Sequence, residues 1–261
     1  MSYFSRRSTT YIDATVGWSF PTWQSLHDLF ANYMPNWPSR NASTVTRIVG
    51  GDSGAVAFFT NKPGVFGASE IRAAGVVDIR NGKIERWVDY WDGRHFGISA
   101  TDGLRLPQNQ WPSDFGERSV GERAHPAMKR TVSTMVRALR TRDADALTGI
   151  LADDVTFEDL TAHVVVAGRR SVVSYMTGRG GNSGTSGPGA VVPEDLTVRH
   201  VVGGAVGGGY EWVSAGGPVP RGVVAVETDG KGAVTRLTSM WDGSLVSASV
   251  LTSLGVRSIE T

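Results

Sequence analysis

Strand-like patterning of apolar and polar positions recurs in two sets of four. The first set lies at about 44–49, 54–60, 70–80 and 83–91, the second at 196–202, 207–214, 221–228 and 233–241. A period of two sends successive side chains to opposite faces of a sheet. Helical spacing marks other segments. Leu26, Leu29, Phe30 and Tyr33 form one apolar stripe on a helix that Thr22 can cap and that runs to about Met34, where Pro35 and Pro38 stop it. Met128, Val132, Met135 and Leu139 share one face of a helix over 127–141. Shorter helices are predicted from Ala144 to Leu151 and from Arg170 to Met176. Short strands are predicted from Thr9 to Ile12 and from Val155 to Glu158. Asn81-Gly82 is a two-residue hairpin turn, because both positions tolerate positive φ.

The two sets carry matching motifs. GKIERWVDYWDG at 82–93 is echoed by GAVTRLTSMWDG at 232–243. Tyr11-Ile12-Asp13 is echoed by Phe157-Glu158-Asp159, and Arg47-Ile48-Val49-Gly50-Gly51 by the segment from Arg199 to Gly204. Three echoes in the same order argue for an internal duplication of a whole domain. Each repeat reads helix, strand, helix and four antiparallel strands, an α+β pattern with helices on one face of a curved sheet. The predicted organisation is a first domain over 1–98, a linker over 99–125 containing Pro107 and Pro112, and a second domain over 126–255. The first repeat lacks the leading helix of the second, so it is truncated, mis-assigned at its start, or open at that end. The glycine-rich stretch TGRGGNSGTSGPGA at 177–190 is expected to be a flexible insertion.

Composition narrows the chemistry. The 261 residues suit two domains, and 40% apolar content suffices for a core in each. A net charge of +1 with mixed signs gives no footprint for nucleic acid. The chain has no Cys, which removes disulfides, thiolate metal sites and a Cys nucleophile. No apolar run is long enough for a membrane span, and the N-terminal MSYFSRRSTTYID is unlike a secretory signal, so a cytoplasmic location is expected. No histidine cluster suggests a metal, and no cofactor is expected.

Two stretches in each half resemble the nuclear-transport-factor-2-like superfamily, and within it the SnoaL-like polyketide cyclases, ketosteroid isomerase and limonene epoxide hydrolase. They are the strand-turn-helix blocks TYIDATVGWSFPTWQSLHDLF and VTFEDLTAHVVVAGRRSVVSYM, and the terminal hairpins ending in RWVDYWD and RLTSMWD. The resemblance implies two cone-shaped α+β domains paired within one chain, or a homodimer. It also implies an apolar small-molecule ligand. Asp13 and Asp159 fall where the isomerase has its general base. Its oxyanion tyrosine would fall at Met135 and its second acid near Val224, so that reaction is not expected. Asp89 and Tyr11-x-Asp13 resemble part of the epoxide hydrolase site. The Arg-x-Asp that would complete it is absent from Val56-Ala57-Phe58-Phe59. One fold hosts many chemistries.

The residues themselves point to a pocket. Alternation puts Trp87, Asp89 and Trp91 on one face. An aspartate between two indoles is partly desolvated, which raises its pKa toward acid/base values. Asp89 and Asp13 are the expected acid and base, with Tyr11 hydrogen-bonding substrate or water. Trp18, Trp23, His27, Trp87 and Trp91 are expected to bind substrate. Asp13 could instead be a turn residue that caps local N–H groups. The second-repeat candidates are Asp159, Glu211 and Trp241, and alternation leaves both directions open for Glu211. Asp92-Gly93 and Asp242-Gly243 read as turns. The expected activity is cyclisation, isomerisation or epoxide opening by carboxylates. The alternative is a non-catalytic pair of binding domains.

Overall fold

The computed structural model describes residues 1–38, 42–178 and 195–258. The glycine-rich stretch expected as a flexible insertion lies, beyond Gly178, outside the described residues. In the first half, β1 (Thr10–Asp13), β2 (Ser19–Phe20) and α1 (Trp23–Tyr33) precede β3 (Ser43–Gly51), β4 (Gly54–Asn61), β5 (Ile71–Arg80) and β6 (Lys83–Trp91). Then come α2 (Ile98–Leu104) and α3 (Glu117–Val120). The second half has α4 (Pro126–Arg140), α5 (Ala144–Ile150), β7 (Leu151–Asp159), β8 (Val164–Ala167) and α6 (Arg169–Thr177). It ends in β9 (Thr197–Gly203), β10 (Gly207–Val213), β11 (Arg221–Thr228), β12 (Val234–Trp241) and α7 (Ala248–Arg257).

Local chemistry accounts for the main boundaries. Thr22 caps α1 by accepting from the Ser25 N–H, and Ser25 Oγ accepts from the Thr22 N–H in return. Asn81 and Gly82 take φ of 52° and 69° to close the β5–β6 hairpin. The strand orders β2-β1-β6-β5-β4-β3 and β8-β7-β12-β11-β10-β9 are identical in form. In each sheet the first strand adds in parallel to the last, while the other pairings are antiparallel. The chain therefore holds two α+β units of the same topology in tandem. Among the described residues no helix precedes β1.

The second sheet is buried on both faces. One face of the second sheet packs on α4, α5 and α6 through Phe157, Tyr210, Trp212 and Leu237, against Met128, Val132 and Met135. The opposite faces of the two sheets meet, with Val49, Val56, Phe58, Val76 and Val88 set against Val202, Val223, Ala225 and Met240. The echoed Gly-Gly pairs sit at this junction: a Cβ on Gly51 would lie 2.9 Å from the Gly204 Cα. The echoed Asp-Gly turns also interlock. Asp242 accepts from the Gly93 N–H at 2.9 Å and from Arg105 at 2.8 Å, while Arg94 holds Asp92 and reaches the Thr161 carbonyl. The stretch between the units is ordered against both. Phe115 is fully buried in the junction, and Arg221 stacks 3.9 Å above the Trp111 ring.

Candidate functional site

The parallel pairing of β1 with β6 sets Tyr11 beside Trp87 and Asp13 beside Asp89, all on the face turned away from the second sheet. Tyr11 Oη donates to one Asp89 oxygen and Trp87 Nε1 to the other. Trp91 Nε1 donates to both oxygens of Asp13, at 3.0 and 2.9 Å. Asp13 Oδ1 also accepts from the backbone of Thr15 and Val16, at 2.9 and 3.2 Å. The sequence candidates thus converge, but as two separate assemblies: a carboxylate held by a phenol and an indole, and a carboxylate built into a turn.

Electrostatics distinguish these groups from ordinary carboxylates. Burial lifts the Asp89 carboxyl to about 7 against the opposing pull of Tyr11 and Trp87, and the Asp13 charge adds to the rise. Burial lifts Asp13 to about 6 against its bonds to Trp91, Thr15 and Val16. The Tyr11 hydroxyl is pushed well above its usual value by burial and by the two neighbouring carboxylates.

The surroundings are aromatic and only half-buried. Tyr11 contacts Phe20 and Phe30, with ring centroids 5.9 and 6.4 Å apart. Trp87 contacts Phe4 and Phe59 at 6.2 and 6.0 Å. Gly75 pairs with Asp89 on the next strand, and a Cβ there would lie 2.7 Å from the Trp87 ring. The absent side chain lets the indole lie down and reach Asp89. Sequence reasoning missed Gly75: counting back across the Asn81-Gly82 turn puts Ala74 opposite Asp89, and a β-bulge between Asp78 and Ile79 shifts the register to Gly75.

The second unit provides an internal comparison. Its register places Phe157, Leu237 and Ser239 where the first has Tyr11, Trp87 and Asp89. It also places Tyr210 and Val224 where the first has Ala57 and Gly75. The other assembly is duplicated. Asp159 accepts from the backbone of Thr161 and Ala162 and from Trp241 Nε1, at 2.9, 2.8 and 2.9 Å, and burial lifts it to about 6. In both units a threonine hydroxyl then bonds the backbone of the tryptophan, Thr15 with Trp91 and Thr161 with Trp241.

The other candidates lie elsewhere. Glu211 faces the first sheet, bonded to Arg86 and to the Tyr90 hydroxyl at 2.7 Å, on the side of β10 opposite Tyr210 and Trp212. Alternation could not orient it because β10 is buried on both faces. Trp18 donates to the Leu104 carbonyl at 2.9 Å and packs beside Trp91. Trp23 and His27 stack at 4.9 Å against the N-terminal segment, in a cavity beside the Asp89 cluster rather than over it. Among the described residues no group of three or more His, Asp or Glu could hold a metal, and no helix is long and apolar enough to cross a membrane.

No protein-family model matches this chain, and no curated protein matches it. It is similar to solved structures of low identity. One is a putative ketosteroid isomerase from Kribbella flavida, 20% identical over 44% of this chain and 77% of that one, with a TM-score of 0.36. Another is a steroid delta-isomerase from Pseudomonas aeruginosa, 18% identical over 53% and 93%, at 0.38. A third is a cystatin-like protein from Silicibacter pomeroyi, 17% identical over 51% and 85%, at 0.37.

Proposed function

We propose that the first unit is an acid/base site for an apolar small molecule, with Asp89 as the group that moves the proton and Tyr11 as its hydrogen-bonding partner. The observation that carries this reading is the difference between the units. The Asp13–Trp91 assembly recurs as Asp159–Trp241, so it serves the fold. Tyr11, Trp87 and Asp89 have only Phe157, Leu237 and Ser239 opposite them, so they serve something the second unit does not do. A carboxyl near 7 exchanges protons readily at neutral pH, and such a group can supply roughly 10²–10⁴-fold in rate. Each Asp89 oxygen has a second lone pair left for a substrate proton once its donor is counted. Half-buried aromatics around it favour a planar or polycyclic apolar body.

The reaction class is proton transfer at a carbon beside a carbonyl, as in isomerisation or cyclisation, or at an epoxide oxygen. The second unit then acts as a fixed partner that braces the first sheet. Binding without turnover is the second reading, favoured by the fact that both Asp89 oxygens already have donors. The deciding experiment incubates the protein in heavy water with apolar ketones and epoxides. Mass spectrometry then follows deuterium uptake and ring opening. The proposal expects uptake or opening that Asp89→Asn abolishes while the variant stays folded. Saturable binding without exchange supports the second reading, and full turnover by Asp89→Asn overturns the first.

A further inference from the structure

We infer that the cavity beside the Asp89 cluster is a binding site for an oxyanion carried on a flat apolar body. It rests on the proposed function only in its location at the same unit. The cavity, of about 630 Å³, is lined by Arg6, Arg7 and Lys83 together with Phe4, Trp23 and His27. Three permanent cations line it, and no described lining residue is acidic, in a chain whose net charge is only +1. The nearby acids lie outside the lining. Glu85 is taken by Arg80, Arg123 and Ser8, and Asp28 contacts His27 from outside the lining.

The geometry matches an aromatic anion in two ways. The Arg6 guanidinium lies 4.5 Å above the Trp23 ring, and Trp23 stacks on His27, so a planar surface adjoins a cation held over it. A guanidinium stacked in this way still offers its N–H fork to a carboxylate or phosphate. The apolar wall also runs on toward Asp89. Phe4 contacts Trp87, which donates to Asp89, and α1 carries Trp23, His27 and Phe30 at helical spacing toward Tyr11. A ligand with its oxyanion among Arg6, Arg7 and Lys83 would direct its apolar body along this wall.

The test is equilibrium binding to the intact protein, read by tryptophan fluorescence and calorimetry. The probes are naphthoate, naphthyl phosphate and the neutral methyl naphthoate. At low salt at least one anion is expected to bind about tenfold or more tighter than the neutral ester. The stronger of the two anions identifies the oxyanion as carboxylate or phosphate. That advantage should shrink at about 0.5 M salt, where charges are screened within a few ångströms. Arg6→Gln/Arg7→Gln/Lys83→Gln should lose the anion advantage yet keep the ester affinity, which shows that the cavity is intact. Neither Asp89 nor Tyr11 lines the cavity, so an absence of deuterium exchange or epoxide opening leaves this inference standing. Equal affinity for anion and ester, or an anion advantage that survives the triple substitution, overturns the inference.

Discussion

Arg86 and Glu211 form an ion pair across the junction of the two units, and both side chains are sealed from solvent. Around the pair, Arg86 Nε donates to the Phe115 carbonyl at 2.8 Å, Asp78 sits 3.3 Å from Arg86, and His200 bonds Asp78 at 3.0 Å. The arrangement is half-symmetric. Glu227 and Arg47 occupy the positions of Asp78 and His200 on the other side, in a more exposed pair at 3.6 Å. Phe58 stands where the second unit has Glu211. The buried side thus distinguishes the two sheets. Glu211→Ala leaves Arg86 with Asp78 as its remaining acidic partner and the Tyr90 hydroxyl without its acceptor, and a loss of about 3 kcal/mol is expected in denaturant unfolding. The double substitution Arg86→Met/Glu211→Leu should recover only part of that loss, because it leaves Asp78 to His200 and the Tyr90 hydroxyl without its acceptor.

Much of this fold was legible in the chain because it is said twice. The hairpin around Asn81-Gly82, the Thr22-capped helix and the Asp-Gly turns follow from local rules. Alternation rightly put Trp87, Asp89 and Trp91 on one face. The direction of Glu211 was illegible for a physical reason: both faces of β10 are buried, so polarity no longer marks the outside. The split of Trp23 and His27 from Asp89 was illegible as well, since it depends on where residues 1–7 pack.

Stability should fall as pH rises through the range in which the buried carboxyls ionise. Asp89 has an ordinary value of 3.8 and sits at about 7 in the folded protein. Its contribution is therefore fully present below the unfolded value and is lost as pH climbs toward 7. The loss from this group is on the order of 4 kcal/mol. Unfolding midpoints measured from pH 4 to 8 should show Asp89→Asn gaining on the parent protein across that window. Parallel pH profiles would contradict the raised value.

Tyr11→Phe removes a donor that favours the charged form of Asp89. The Asp89 titration should move upward, read from the carboxyl carbon signal by NMR. Gly75→Ala should act in the same direction through Trp87, because the new methyl would displace the indole that donates to the other oxygen. A downward shift in either variant would show that the hydrogen bonds are not what holds the carboxylate form.

The Gly-Gly echo makes its own prediction. Gly51→Ala places a methyl 2.9 Å from the backbone of Gly204, where no side chain can yield. The sheets would have to separate locally, at a cost of about 1–3 kcal/mol. Gly82→Ala is the control at the hairpin turn: its Cβ meets nothing within 4 Å, and only the φ of 69° penalises it. A Gly51→Ala protein as stable as its parent would mean the close approach is not maintained.

The duplication also separates structural from functional carboxylates in a single experiment. Asp13→Ala strips the acceptor from the Thr15 and Val16 N–H groups and from Trp91, and Asp159→Ala does the same to Thr161, Ala162 and Trp241. Each leaves buried donors unmet, at roughly 1–3 kcal/mol per group, so both variants should unfold early and to similar extents. Asp89→Ala frees only the Tyr11 and Trp87 donors, and it removes a carboxylate that burial disfavours at neutral pH. At neutral pH it should therefore be at least as stable as its parent while losing turnover. Thermal unfolding of the three proteins side by side checks the assignment. If Asp89→Ala were the one that collapsed, the Tyr11–Asp89–Trp87 cluster would be a folding element like its neighbour, and the acid/base role would lose its main support.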